Sequence, residues 1–207
     1  ALSEILSLIH FGCTNPTACN YDSNANIDDG SCVLPDGCTD TNAINYSETA
    51  ICDDGSCVSE IGQYYQGGLI GYIDATGLHG LIVSPDIGNA SWGCYGQLIM
   101  GADATEIGEG NQNTIDIING CSTISAASRC GDLVLNGYSD WYLPSIEELK
   151  YMYINLHLQG LGGFVNLNYW SSTEFDDNNA LLKAFFSGQN WIWNKNAYLY
   201  VRAVRAF

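Results

Sequence analysis

Not one Lys or Arg precedes Arg129, and the six basic residues (Arg129, Lys150, Lys183, Lys195, Arg202, Arg205) all lie toward the C-terminus. Against 23 acidic residues this leaves a formal net charge of -17. Phosphate backbones are held by clustered cations, so nucleic acid is excluded as a partner by charge. Adsorption to anionic lipid is disfavoured too, whereas the acidity suits solubility and capture of divalent cations. No apolar run reaches the length of a membrane-spanning helix, so no membrane insertion is expected. No C-x-x-C pair occurs, which removes zinc ribbons and thioredoxin-like sites. G-x-S-x-G, H-E-x-x-H, the phosphate loop and the dinucleotide fingerprint are missing as well, so the chain is not expected to be an enzyme. It opens without an initiator Met or a basic leader, and therefore reads as processed or as part of a longer protein.

What is present is a tandem module. GCTNPTACNYDSNANIDDGSC recurs as GCTDTNAINYSETAICDDGSC, with Gly12 and Gly37 opening copies 25 residues apart. The shared Gly-Cys-Thr, Asn-Tyr and Asp-Asp-Gly-Ser-Cys suit turns and a cysteine closure. Units this small and polar, 12–33 and 37–58, need a covalent or metal staple. Nine cysteines point to an oxidising compartment. The simplest pairing closes each repeat, Cys13 with Cys32 and Cys38 with Cys57. Cys19 and Cys52 are each unmatched in the other copy and are placed to bridge the modules. Cys121 and Cys130 are expected to pair by proximity, leaving Cys94 either as a small buried residue in WGCYG or for an intermolecular bridge. In repeat one, Asp22, Asn24, Asn26 and Asp28 put oxygens at alternate positions like the first half of a calcium loop. Solvated Asx turns are the other reading, and repeat two has Ser47 and Thr49 instead.

Residues 1–11, ALSEILSLIHF, carry apolar side chains at helical spacing. A helix this short is marginal alone, so it needs the rest of the chain or a neighbouring subunit, a route to a homo-oligomer. The larger part, 67–207, reads as an α+β head. A hairpin is expected around a turn at 74–77, with His79 in its second strand. Helices are expected over 112–119 and 124–135, the latter stopped by Asn136-Gly137. A third begins after Ser145, where Glu148 sits at the capping-box position and Ile146, Leu149, Met152, Tyr153 and Leu156 form a core stripe. Glu147 and Glu148 there favour the positive helix start over a catalytic role. The tail reads as strands NYWSSTE and ALLKAFF, a loop SGQNWIWNKN, and one regular terminal strand AYLYVRAVRAF.

These motifs carry a family resemblance. GGLIGYIDATGLHGLIVS, LVLNGYSDWYLPSIEELKYMY, YWSSTE and YVRAVRAF closely resemble the C-terminal domain of Legionella collagen-like proteins. That domain is C-type-lectin-like, of the formylglycine-generating-enzyme subtype. Those enzymes use a late cysteine pair, and no Cys follows Cys130, so the likeness is one of fold. The cysteine repeats resemble GCTD-type modules of Bacteroidota surface proteins. The tail also resembles the variable proteins of diversity-generating retroelements, in which AAC codons are mutated ahead of a fixed last strand. That likeness makes Asn178, Asn179, Asn190, Asn194 and Asn196 unaltered positions. It makes Phe175, Asp176, Asp177, Leu182, Ala184, Ser187, Trp191, Trp193, Ala197 and Leu199 candidate replaced ones, although Trp191 and Trp193 either require template codons other than AAC or are fixed.

The resemblance implies a secreted, cell-surface or virion-surface adhesin that recognises a glycan or protein ligand. From the residues themselves, the candidate surface is the WIW segment with Phe175, Phe186, Tyr198 and Leu182, interleaved with Asp176, Asp177, Asn190 and Asn194. Flat rings stack on sugars or anchor protein contacts, while short polar groups orient them. Trp170, Phe185 and Tyr200 are expected in the core. The calcium-binding tripeptides of sugar-binding C-type lectins are missing, so calcium is expected only in the repeats. A structural subunit of an extracellular filament, with the head as decoration, remains the other reading.

Overall fold

The computed structural model describes residues 9–58 and 60–207. The chain divides into two compact units, Ala1–Ser59 and Glu60–Phe207.

In the first unit the repeat invariants act as fasteners. The Asn of each Asn-Tyr pair reaches across its module: Asn20 donates to Ser31 O (2.7 Å) and accepts from Val33 N, and Asn45 does the same with Ser56 O and Val58 N. In each Asp-Asp-Gly-Ser, the two carboxylates accept backbone N–H bonds two residues on, at Gly30 and Ser31 and at Gly55 and Ser56. These are Asx turns, and Gly30 and Gly55 supply the left-handed conformation that follows (φ 77° and 75°). Disulfides Cys13–Cys32 and Cys38–Cys57 close the modules and Cys19–Cys52 joins them. Strand β1 (Phe11–Gly12) pairs in parallel with β2 (Ile27–Asp28). Of the helix expected over 1–11, residues 1–8 lie outside the described residues, and Phe11 belongs to β1.

The second unit is α+β. One sheet has the order β11-β5-β4-β3 and the other β6-β10-β7-β8-β9. The first is built from β3 (Tyr64–Tyr65), β4 (Gly68–Ile73), β5 (Gly80–Val83) and β11 (Val204–Ala206). The second is built from β6 (Asn89–Ser91), β7 (Asn168–Glu174), β8 (Asn179–Ala184), β9 (Gln189–Asn194) and β10 (Tyr198–Tyr200). Three α-helices among the described residues, α1 (Gly110–Gly120), α2 (Ala126–Gly131) and α3 (Ile146–Asn155), and a short 3-10 turn (His157–Gln159) complete it. One core gathers Trp92, Ile117, Trp141, Trp170 and Leu182; a second joins Leu149 and Met152 of α3 to Tyr169 and Phe185. Helix α3 starts with the capping box expected: Ser145 Oγ accepts from Glu148 N, and the Glu148 carboxylate accepts from Ser145 N at 2.7 Å. Glu148 is fully buried and also accepts from Gly108 N and Tyr142 Oη, and burial pushes its carboxyl above the usual range.

Several expectations are corrected. His79 precedes β5, and its carbonyl accepts from Asp74 N across the turn. Helix α2 starts two residues late and ends at Gly131, four residues early, and Asn136 and Gly137 both take positive φ (53° and 82°) between the mutually bonded Leu135 and Tyr138. Asn-Gly favours the two-residue hairpin turn, so the apparent helix stop is a hairpin. The terminal segment is two strands: β10 pairs with β6 and β7, and β11 with β5, so residues 201–203 cross between sheets. Both of their faces are buried, and Arg202 is held by Ser84 O (2.8 Å), Gly162 O (2.7 Å) and the face of Phe164. The segment expected as loop, SGQNWIWNKN, contains strand β9. Finally, Cys121 bonds Cys94, not Cys130. Helix α2 turns Cys130 into the core, where it is free and fully buried, whereas Cys121 sits at the C-terminal cap of α1 against Cys94.

Candidate functional site

Strand β9 forms one edge of the five-stranded sheet and pairs with β8 without interruption, from Ala184↔Gln189 to Asn179↔Asn194. Side chains alternate across a strand, so Gln189, Trp191 and Trp193 share the face of Leu182 and Ala180, and Asn190, Ile192 and Asn194 share the other. Trp193 is 45% exposed and Ile192 46%, and Trp191 is half-buried against the core. Phe186, also exposed, meets Trp191 edge-on at 5.5 Å, and Trp191 and Trp193 lie 6.5 Å apart. The result is an aromatic row along an open strand.

Buried lysines fix both ends of that strand. At the start, Lys183 of β8 donates to Gly188 O (2.8 Å) and Asn190 Oδ1 (2.9 Å) and lies over the Tyr153 ring. Burial lowers its pKa. At the end, Lys195 is fully buried, paired with Glu174 Oε1 at 2.5 Å and also donating to Gln97 O and Asp177 O. Glu174 in turn accepts from Ile99 N. One ion pair therefore ties the end of β9, the β7–β8 turn and the 97–99 loop together. The aromatics between the two anchors are held on a rigid element, which lowers the entropy lost on binding.

The remaining candidates fall into distinct groups. Phe175 and Asp177 are exposed in the β7–β8 turn, and Ser187, Asn190 and Asn194 are exposed along β9 or its approach. Phe175 lines a cleft of about 340 Å³ with Leu98, Met100 and Glu174. Asp176 is spent on the turn: it accepts from Asn178 N (2.8 Å) and Asn179 N (2.7 Å), and the Asn179 side chain with these backbone bonds holds its carboxyl below the usual range. Leu182 and Ala184 are corrected outright. Both are fully buried on the core-facing side of β8, and neither reaches the surface. Ala197 and Leu199 are half-buried against the same core. Tyr198 is exposed on β10, paired with Ser91 of the far edge strand β6, beside Tyr95, Ile124 and Asn196. Sequence reading did not find Lys183 and Lys195; a lone Lys between aromatic strands carries no local signal of burial. Trp170, Phe185 and Tyr200 do lie in or against the core.

Three of the four repeat-one candidates accept backbone N–H bonds. Asp22 accepts from Asn24 N, Asn26 from His10 N and Asp28 from Gly30 N. Among the described residues no group of three or more His, Cys, Asp or Glu is arranged to hold a metal.

Among the described residues no helix is long and apolar enough to cross a membrane. Comparison with curated proteins returns no match. The sequence matches the family model of the Lcl C-terminal domain over residues 99–205, a span that contains the ion pair, the β8–β9 hairpin and β10. That match covers just over half of the chain, which therefore belongs to the family of the Lcl C-terminal domain, as its motifs implied.

Proposed function

We propose that the chain is an extracellular or surface-displayed binding protein in which disulfide-stapled repeats accompany a C-type-lectin-like head. Its ligand surface is the aromatic row of β9 with the adjoining β7–β8 turn. The observation that carries this reading is the exposure of Trp193 and Ile192 on an anchored edge strand, with Phe186 exposed in the turn that leads into it. Large rings left in water on a rigid element are characteristic of recognition surfaces. Four disulfides fit an oxidising location, and family membership fits a surface-associated protein. Diversification of the exposed positions Phe175, Asp177, Ser187 and Trp193, with the half-buried Trp191, belongs to the same reading. It predicts that gene copies from one population differ at those codons while Val201 to Phe207 stays constant.

The test is binding of the purified chain to a glycan array and to whole cells, beside a folded Trp191→Ala/Trp193→Ala variant. Loss of binding in the variant is the expected result. Undiminished binding would remove this surface from consideration. A wild-type chain that binds nothing and assembles into filaments would transfer the role to structure.

A further inference from the structure

The edges of the two sheets are treated differently. At β6, Arg129 Nη1 donates to Asn89 O (2.5 Å) and Trp170 Nε1 donates to Ala90 O (3.1 Å). At β11, Tyr142 and Val204 exchange two backbone bonds. Strand β3 is two residues long. Strand β9 has none of these protections: it is six residues long, contains no Pro and no charged residue, and has no bulge in its pairing.

Its free hydrogen-bonding groups can be assigned. Lys195 N–H donates to Asn178 O, and in an antiparallel ladder the bonded pairs recur every second residue. Trp193 and Trp191 therefore bond inward to Ala180 and Leu182, and Asn190 and Ile192 direct their N–H and C=O groups outward. Two donors and two acceptors stand at strand spacing. Only another extended backbone matches that pattern; sugar hydroxyls do not repeat at that period. Two copies of this chain, each at -17, repel one another, and Asp177 is exposed in the β7–β8 turn, where its carbonyl accepts from Lys195 just past the end of β9.

We propose that β9 captures an extended, neutral-to-basic peptide segment of a partner protein by strand addition. The backbone of Asn190 and Ile192 gives the affinity, and Trp191 and Trp193 on one face with Ile192 on the other select alternate apolar side chains. A basic residue of the peptide meets Asp177. The inference rests on the binding role proposed above and specifies its ligand class.

A displayed library of random linear peptides, selected on the full chain, supplies the probe. Selected peptides should alternate apolar residues with polar or basic ones. Their affinity should fall about tenfold or more for Ile192→Pro, which deletes one outward N–H and leaves the β8 ladder intact. N-methylation of the peptide should be damaging at alternate amides only, a readout that stands even where the proline variant fails to fold. A selection that yields no binders, or binders indifferent to both changes, overturns the proposal. So does a wild-type dimer that Ile192→Pro dissolves, since a second copy would then occupy the edge. Cell binding lost in Trp191→Ala/Trp193→Ala but kept in a folded Ile192→Pro would leave the surface in place and sink strand addition alone.

Discussion

Lys195 and Glu174 form an ion pair 2.5 Å long from which water is excluded, with side chains 0% and 2% exposed. The Trp92 ring lies 4.7 Å from the ammonium and Gln97 O and Asp177 O take its other protons, so both charges are satisfied. Removing one partner leaves the other charged and dry. Lys195→Met should therefore destabilise the head by about 3–5 kcal/mol, and Glu174→Gln in that background should restore a large share. Denaturant unfolding of the two singles and the double measures this. Additive losses would show that the charges do not depend on each other.

The cysteine assignments lead to a chemical test. Four disulfides leave Cys130 as the only thiol, buried, with its ionisation pushed up by desolvation. Iodoacetamide should label no cysteine in the native protein and Cys130 alone after denaturation without reductant. Replacing Cys94 and Cys121 together by Ser should cost about 3 kcal/mol for a loop of this length. A peptide map containing a Cys121–Cys130 link would refute the arrangement.

How much of this was visible in the sequence depends on the range of the interaction. The repeats, the Asx turns and the Ser145–Glu148 capping box are local chemistry, and the residues that make them are a few positions apart. Asn136-Gly137 was visible as a break but ambiguous, because the same φ > 0 preference ends a helix or turns a hairpin. The WIW segment reads as loop because Gly188 and the Asn residues around it have turn chemistry. What made it a strand is pairing with β8. Ala184 looks like a surface position only through the resemblance to diversified tails and Leu182 also through its place beside the aromatic cluster, and the burial of both follows from which face of β8 meets Trp170 and the core. Cys94–Cys121 joins residues separated by 27 positions, beyond what proximity along the chain indicates.

Two carboxylates should move stability in opposite directions with pH. Glu148 has a folded-state pKa raised by burial, so the folded chain holds that proton more tightly than the unfolded one. Its contribution is greatest below the unfolded value, about 4.3, and is lost as pH rises through the raised one. Asp140 is the reverse case: hydrogen bonds from Arg205 hold its carboxyl below the usual range, so its contribution is present above the unfolded value and lost in stronger acid. The stability difference between wild type and Glu148→Gln should accordingly shift in favour of wild type from pH 8 to pH 4.5. Urea unfolding at the two values tests this, and a shift in the other direction would mean that the three donors to Glu148 outweigh its burial.

Gly188 connects stability to presentation of the aromatic row. Its φ of 73° lies in the left-handed region, and a Cβ there would stand 2.6 Å from the Tyr153 ring, which itself covers Lys183. Gly188→Ala thus meets backbone strain and a clash together, for an expected loss of about 1–3 kcal/mol. The consequence should extend beyond stability, because Lys183 bonds Gly188 O and Asn190 Oδ1 and so sets where β9 begins. Hydrogen exchange should rise at Gln189 and Trp191, whose amides close the ladder to β8, before the rest of the sheet is affected. A Tyr153→Ala background relieves the clash but not the φ strain, so it should recover part of the loss and no more. Full recovery would locate the whole penalty in the ring contact, and no recovery would locate it in the backbone.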